Sequence, residues 1–115
     1  MLEKHLKYGK LYDYYGEILK EKHNKVIKQY YLQDLSLKEI SENLDITRQG
    51  VYDLLKRAEK NLDEIDNKLN IIEKQEKYKN DMILIIENMR EEITNNNTKK
   101  INEKIKELID LIKEI

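Results

Sequence analysis

Between Asp34 and Leu62 the apolar residues follow a pattern that two short crossing helices satisfy and little else does. Leu37, Ile40 and Leu44 recur at helical spacing, Ile46 follows a break, and Val51, Leu54, Leu55 and Ala58 resume the repeat. Both helices carry start signals. Ser36-Leu37-Lys38-Glu39 is a capping box: the Ser36 hydroxyl accepts from the Glu39 amide while the Glu39 carboxylate accepts from the Ser36 amide. Thr47 is a second N-cap, opening a helix at Arg48. Asp45 stands at the turn position that needs left-handed backbone, where Gly is the usual residue and Asp one of the few others that tolerate it. Ser41 is small where the second helix crosses the first. The pattern is that of a helix-turn-helix.

The rest of the chain supports an all-α fold. There is no Pro and there are only three Gly in 115 residues, which leaves little turn chemistry for strands. Charged residues make up 39%. That fraction raises the question of disorder, but the signs are mixed and the apolar residues keep helical order. Leu2, Leu6, Leu11, Tyr12 and Tyr15 form one stripe of a first helix. We read this aromatic cluster as core, with tyrosine replacing the missing Phe and Trp and its hydroxyls at the rim, rather than as a base-stacking platform. Gly16 to Lys22 reads as a connection. A second helix follows from about Glu21 to Leu32, with Val26, Ile27, Tyr30 and Tyr31.

Beyond Ala58 the stripe continues through Leu62, Ile65, Leu69 and Ile72. After a phase shift near Gln75 it resumes at Tyr78, Met82, Ile85, Met89 and Ile93. Asn95-Asn96-Asn97-Thr98 suits a turn, and Ile101, Ile105, Leu108, Ile112 and Ile115 form a returning heptad. The chain therefore divides into a helix-turn-helix domain, residues 1–60, and a long-helix or hairpin region, residues 61–115. Ile83, Leu84 and Ile86 are left without a cover. Burying each such side chain is worth ~1.5–3 kcal/mol, and a second copy is the economical partner, making residues 61–115 a dimerisation region. The alternative is that the stripe from Leu62 folds back on the first helices of its own chain.

With Val51, Leu54, Leu55 and Ala58 turned inward, the outward face of the second motif helix carries Arg48, Gln49, Tyr52, Asp53 and Lys56. Arg48 suits phosphate or a guanine edge, Gln49 pairs with adenine, and Tyr52 and Lys56 suit the backbone. Two of the three Arg, Arg48 and Arg57, lie on this helix; Arg57 reads either as a phosphate contact or as an i,i+4 partner of Asp53. Thr47, Arg48, Gln49, Tyr52, Lys56 and Arg57 are thus the candidate DNA-binding residues. The electrostatics argue for modest affinity. Residues 1–35 carry net charge +2, residues 36–60 none, and residues 61–115 −3, so no strongly basic block is present.

Other functions find little support. No cysteine means no disulfide, thiolate metal site or Cys nucleophile. His5 and His23 form no metal-ligand pair, and no Gly-rich phosphate loop exists. We therefore expect no catalytic residues, no metal and no cofactor. The longest apolar run, Met82 to Ile86, is far short of the ~20 residues a membrane span needs, and the N-terminus has no signal-like apolar stretch. A cytoplasmic protein without membrane insertion is the expectation.

At these residues a family resemblance emerges. Tyr30-Tyr31-Leu32, Ser36-Leu37-Lys38-Glu39-Ile40, Arg48-Gln49-Gly50-Val51-Tyr52-Asp53 and Lys56-Arg57 resemble the YlxM family of small bacterial proteins. The motif itself is similar to region 4 of sigma factors, where an Arg-Ala pair like Arg57-Ala58 closes the recognition helix. The resemblance extends over residues 1 to about 75 and includes Glu3-Lys4 and Tyr14-Tyr15. It implies a sigma-like helix-turn-helix followed by long helices, association into dimers, and a regulatory role connected to the signal recognition particle pathway, through DNA or through the particle's protein or RNA. Lys20-Glu21 departs from the Thr-Pro that relatives carry as the cap of the second helix.

Overall fold

A computed structural model describes residues 2–115, and every regular element among them is helical. The order is α1 (Leu2–Tyr15), a single 3-10 turn (Gly16–Ile18), and α2 (Glu21–Ile27), which widens into a π-type turn (Lys28–Leu32). Then come α3 (Leu37–Leu44), α4 (Arg48–Leu69), α5 (Ile71–Thr94) and α6 (Thr98–Glu114). Two compact units result, one ending at Asn70 and the other running from Ile71 to Ile115. The expected boundary after residue 60 falls inside α4.

In the first unit α1, α2 and α3 all pack on α4. Its core is Tyr8, Leu11, Tyr15, Leu19, Val26, Ile27, Tyr31, Ile40, Val51, Leu55, Ala58 and Leu62. Leu2 and Leu6, expected in the core stripe of α1, are 73% and 66% exposed instead. The register is set by tyrosine. Glu59, Asp63 and Asp66 lie on one face of α4 at i, i+4 and i+7. The Tyr31 hydroxyl donates to Glu59, Tyr8 to Asp63 at 2.9 Å, and Tyr15 to Asp66 at 2.7 Å. A buried phenol needs an acceptor, and these carboxylates supply it. Tyr8, Leu11 and Tyr15 therefore turn inward, and Leu2 and Leu6, on the opposite side of α1, turn out.

Among the described residues Glu59 is the one buried charged side chain, 5% exposed. Besides Tyr31 it meets Lys56 at 3.4 Å and Lys4 at 3.6 Å, so a carboxylate that would be costly to bury alone is paired and hydrogen-bonded. The π-type turn closes with the Gln33 amide on the Lys28 carbonyl at 3.0 Å. Within it Tyr30 and Tyr31 both meet the His5 ring, at centroid distances of 5.5 and 4.9 Å.

The start of α2 has no side-chain cap at Lys20. Asn24 secures it instead: its amide donates to the Gly16 carbonyl at 2.8 Å while its oxygen accepts from the Tyr12 hydroxyl at 3.1 Å. The Tyr12 ring presses so closely on Gly16 that a Cβ there would sit 2.9 Å from it. Four helices end without glycine. Asp34, Asp45, Asn70 and Asn96 all take positive φ, between 52° and 57°. The break foreseen near Gln75 thus falls at Asn70. Leu62 is fully buried in the first unit and Ile65 half-buried, so that part of the stripe is covered within the chain.

The second unit is the hairpin of α5 and α6. Asn97 caps α6 by accepting from the Lys100 amide at 3.2 Å. None of its side chains is fully buried. Tyr78, Met82, Ile85 and Met89 of α5 and Ile101, Leu108 and Leu111 of α6 are half-buried, whereas Ile93, Ile105, Ile112 and Ile115 of the expected stripes stay exposed. One straight helix can turn only a narrow strip toward one neighbour, and a heptad drifts ~20° per repeat around it.

The tyrosine–carboxylate pairs make a graded prediction. Tyr31→Phe should lower the unfolding free energy by about 1.5–3 kcal/mol, because it strips a buried hydrogen bond to a charged group. Tyr8→Phe should cost less, since half-exposed Asp63 keeps Lys7 at 3.2 Å and gains water. Urea denaturation of the two variants measures the difference; equal losses would contradict this account of Glu59.

Candidate nucleic-acid interface

The helix-turn-helix is assembled by local chemistry. The Glu39 amide donates to Ser36 Oγ at 3.1 Å, and the Ser36 amide to Glu39 Oε1 at 3.1 Å, completing the capping box. The same bonds to Ser36 hold the Glu39 carboxyl below its ordinary range. Asp45 ends α3 with φ 56° and ψ 47°, the left-handed conformation its position requires. Its amide and that of Ile46 both return to the Ser41 carbonyl. Thr47 Oγ then accepts from the Gly50 amide at 2.9 Å, starting α4. Burial of Val51, Leu55 and Ala58 fixes which face of α4 looks outward.

All six candidate residues, Thr47, Arg48, Gln49, Tyr52, Lys56 and Arg57, are exposed, and so is Asp53. They are not equally disengaged. Gln49 Nε2 donates to Asp53 Oδ1 at 3.0 Å. Lys56 turns back to Glu59 and lies over the Tyr52 ring, 5.4 Å from its centroid. Lys4 and Lys56 share that one carboxylate, and the closeness of the two amines shifts them in opposite directions, Lys4 down and Lys56 up. Among the described residues no ion pair joins Arg57 to Asp53, whose Oδ1 accepts from Gln49.

A depression flanks α4 on either side. One, of about 240 Å³, is bounded by Lys4, His5, Tyr30, Leu37, Tyr52 and Lys56 among others, with Glu59 at its base. The other, about 460 Å³, has Lys22 and Lys25 of α2 facing Arg57 and Asp53, over Leu44, Ile46, Gly50 and Leu54. The sequence reading placed no role on Lys22 or Lys25. Its only trace of them was the +2 balance of residues 1–35. Nearby, Asn61 Nδ2 donates to His23 Nδ1 at 2.8 Å. Burial, then Lys20 and Arg57, push the His23 imidazole below its ordinary pKa.

An exposed recognition helix, capped at Thr47 and pinned by its apolar face, defines the class: a helix-turn-helix protein. The family follows from comparison with known proteins. Residues 2–113 match the family described as "Putative helix-turn-helix protein, YlxM / p13 like" (UPF0122), and the chain belongs to that family. It is 50% identical over 70 residues to a UPF0122 protein of Thermoanaerobacter sp. strain X514, covering 61% of this chain and 60% of the relative. A UPF0122 protein of Halalkalibacterium halodurans is 47% identical over 77 residues, 67% of this chain and 71% of the relative. One from Bacillus mycoides is 34% identical over 115 residues, covering 100% of this chain and 99% of the relative. The chain thus aligns with about three fifths of the Thermoanaerobacter relative and with nearly all of the Bacillus one. No helix among the described residues is long and apolar enough to cross a membrane.

His23 predicts a pH dependence. Its folded pKa lies below the ordinary 6.5, so the unfolded chain takes up the proton first, and the stability held above that value is lost as pH falls through the folded pKa. The urea midpoint should therefore decline from pH 7.5 to 5.5. His23→Gln should flatten that decline, and an unchanged profile would assign it elsewhere.

Proposed function

We propose that this chain is a DNA-binding regulatory protein that reads duplex DNA with the start of α4. The observation that carries the reading is the exposure of Arg48, Gln49 and Tyr52 on the first two turns of a helix whose opposite face is locked in the core. That is the part of a recognition helix that meets base edges. Arg48 serves a phosphate or guanine, Gln49 an adenine, and Tyr52 the backbone or a thymine methyl. Thr47 orders the helix start, whose backbone amides favour an anion. Lys56 and Arg57 contribute phosphate contacts. No residue is assigned a catalytic role, and no cofactor is invoked.

The active form in this reading is a homodimer. Ile83, Leu84, Ile86, Ile109 and Ile112 are between 47% and 59% exposed on the hairpin, and a second copy would cover them. The resemblance to the YlxM family connects the regulation to the signal recognition particle pathway in the cytoplasm. A second reading, an interaction module for that particle's protein or RNA with the motif as scaffold, is favoured by one observation. Gln49 and Lys56 are both bonded within the chain.

Duplex fragments retained from a genomic pool at low and moderate salt, beside total RNA, test the reading. Wild type should enrich particular duplexes, and Arg48→Ala/Tyr52→Ala should bind them at least tenfold more weakly, from a loss of about 1–3 kcal/mol per base contact. Enrichment of signal recognition particle RNA instead would favour the second reading. In sedimentation, wild type should show twice the chain mass and Leu84→Glu/Ile109→Glu the single mass; a wild-type monomer would remove the dimer.

A further inference from the structure

The larger depression beside α4 is not explained by the recognition helix alone. Its rim has three cations, Lys22, Lys25 and Arg57, against one carboxylate, Asp53, which already accepts from Gln49. Its apolar lining comes from Leu44, Ile46 and Leu54, with Gly50 beside them. We propose that Lys22 and Lys25 of α2, with Arg57 of α4, form a phosphate wall that holds one strand of a duplex alongside the recognition helix. This inference rests on the DNA reading above and adds to it a second element, α2, that no part of the motif includes.

A helix lying in the major groove has a sugar–phosphate strand on each side of it, so whatever flanks the exposed edge of α4 meets a backbone. The two flanks differ. On the side of Tyr52, both Lys4 and Lys56 are matched to Glu59. On the other side, the one ion pair of Lys25 among the described residues is with solvent-exposed Glu21, at 3.1 Å, a pair of the kind that contributes little. Lys22 and Lys25 are one turn apart, so both can address the same strand. Alternating deoxyribose and phosphate suits an apolar lining beside a cationic rim. The His23 imidazole nearby is held below its ordinary pKa first by burial and only then by Lys20 and Arg57.

The wall also answers the charge problem posed by the motif. Residues 36–60 are neutral by themselves, but the fold brings to them two lysines from the positive first segment.

The test is the salt dependence of binding to a duplex selected as above, measured from 50 to 200 mM salt for full-length wild type and Lys22→Ala/Lys25→Ala. Each phosphate contact contributes about 0.9 to the slope of log K against log salt, so the variant's slope should fall by about 2. The loss should be the same for selected and unrelated duplexes, because phosphate contacts carry no sequence information. Lys22→Arg/Lys25→Arg should restore the wild-type slope, and an unchanged urea midpoint in the alanine variant separates binding from folding. If wild type binds duplex and the alanine variant keeps its slope, the wall is wrong and the recognition-helix reading stands. If wild type retains only RNA, or nothing, both are wrong.

Discussion

A row of three tyrosine hydroxyls donating to three carboxylates on one face of α4 fixes the first unit. Tyr31, Tyr8 and Tyr15 come from two different helices and converge on Glu59, Asp63 and Asp66. Apolar contact alone would let α1 rotate by a residue or two at small cost, since leucines lie on both sides of it. Directional bonds do not allow that. Once α1 and α2 are set against α4, the buried side of the recognition helix is decided, and with it the side that faces solvent.

The same chain solves its turns with almost no glycine. Asp34, Asp45, Asn70 and Asn96 each accept left-handed backbone where a helix must stop. Short polar side chains are the least costly substitutes there, because they hydrogen-bond locally. The three glycines are used differently. Gly16 lies against the Tyr12 ring, where any side chain would collide.

How much was legible follows from how local the chemistry is. The motif could be read because Ser36, Asp45 and Thr47 act within three or four residues of themselves, and all three perform the expected role. The face of α4 that carries Arg48, Gln49, Tyr52 and Lys56 followed from the apolar repeat beneath it. The register of α1 could not be read, because it depends on acceptors at Asp63 and Asp66, 55 and 51 residues from Tyr8 and Tyr15, and these look like ordinary surface acids. Local spacing offers Asp53 as the i,i+4 partner of Arg57, but among the described residues Asp53 accepts from Gln49 and forms no ion pair with Arg57. Lys22 and Lys25 had no local signature at all; only the packing of α2 on α4 brings them to Arg57.

Two ammonium groups crowd the single carboxylate of Glu59, Lys4 from α1 and Lys56 from the recognition helix. The acid needs one of them. Either lysine alone therefore leaves the buried acid with a counter-charge. Two helices, α1 and α4, are thereby tied through one charge, and neutralisation of the only acid buried among the described residues does not depend on a single side chain.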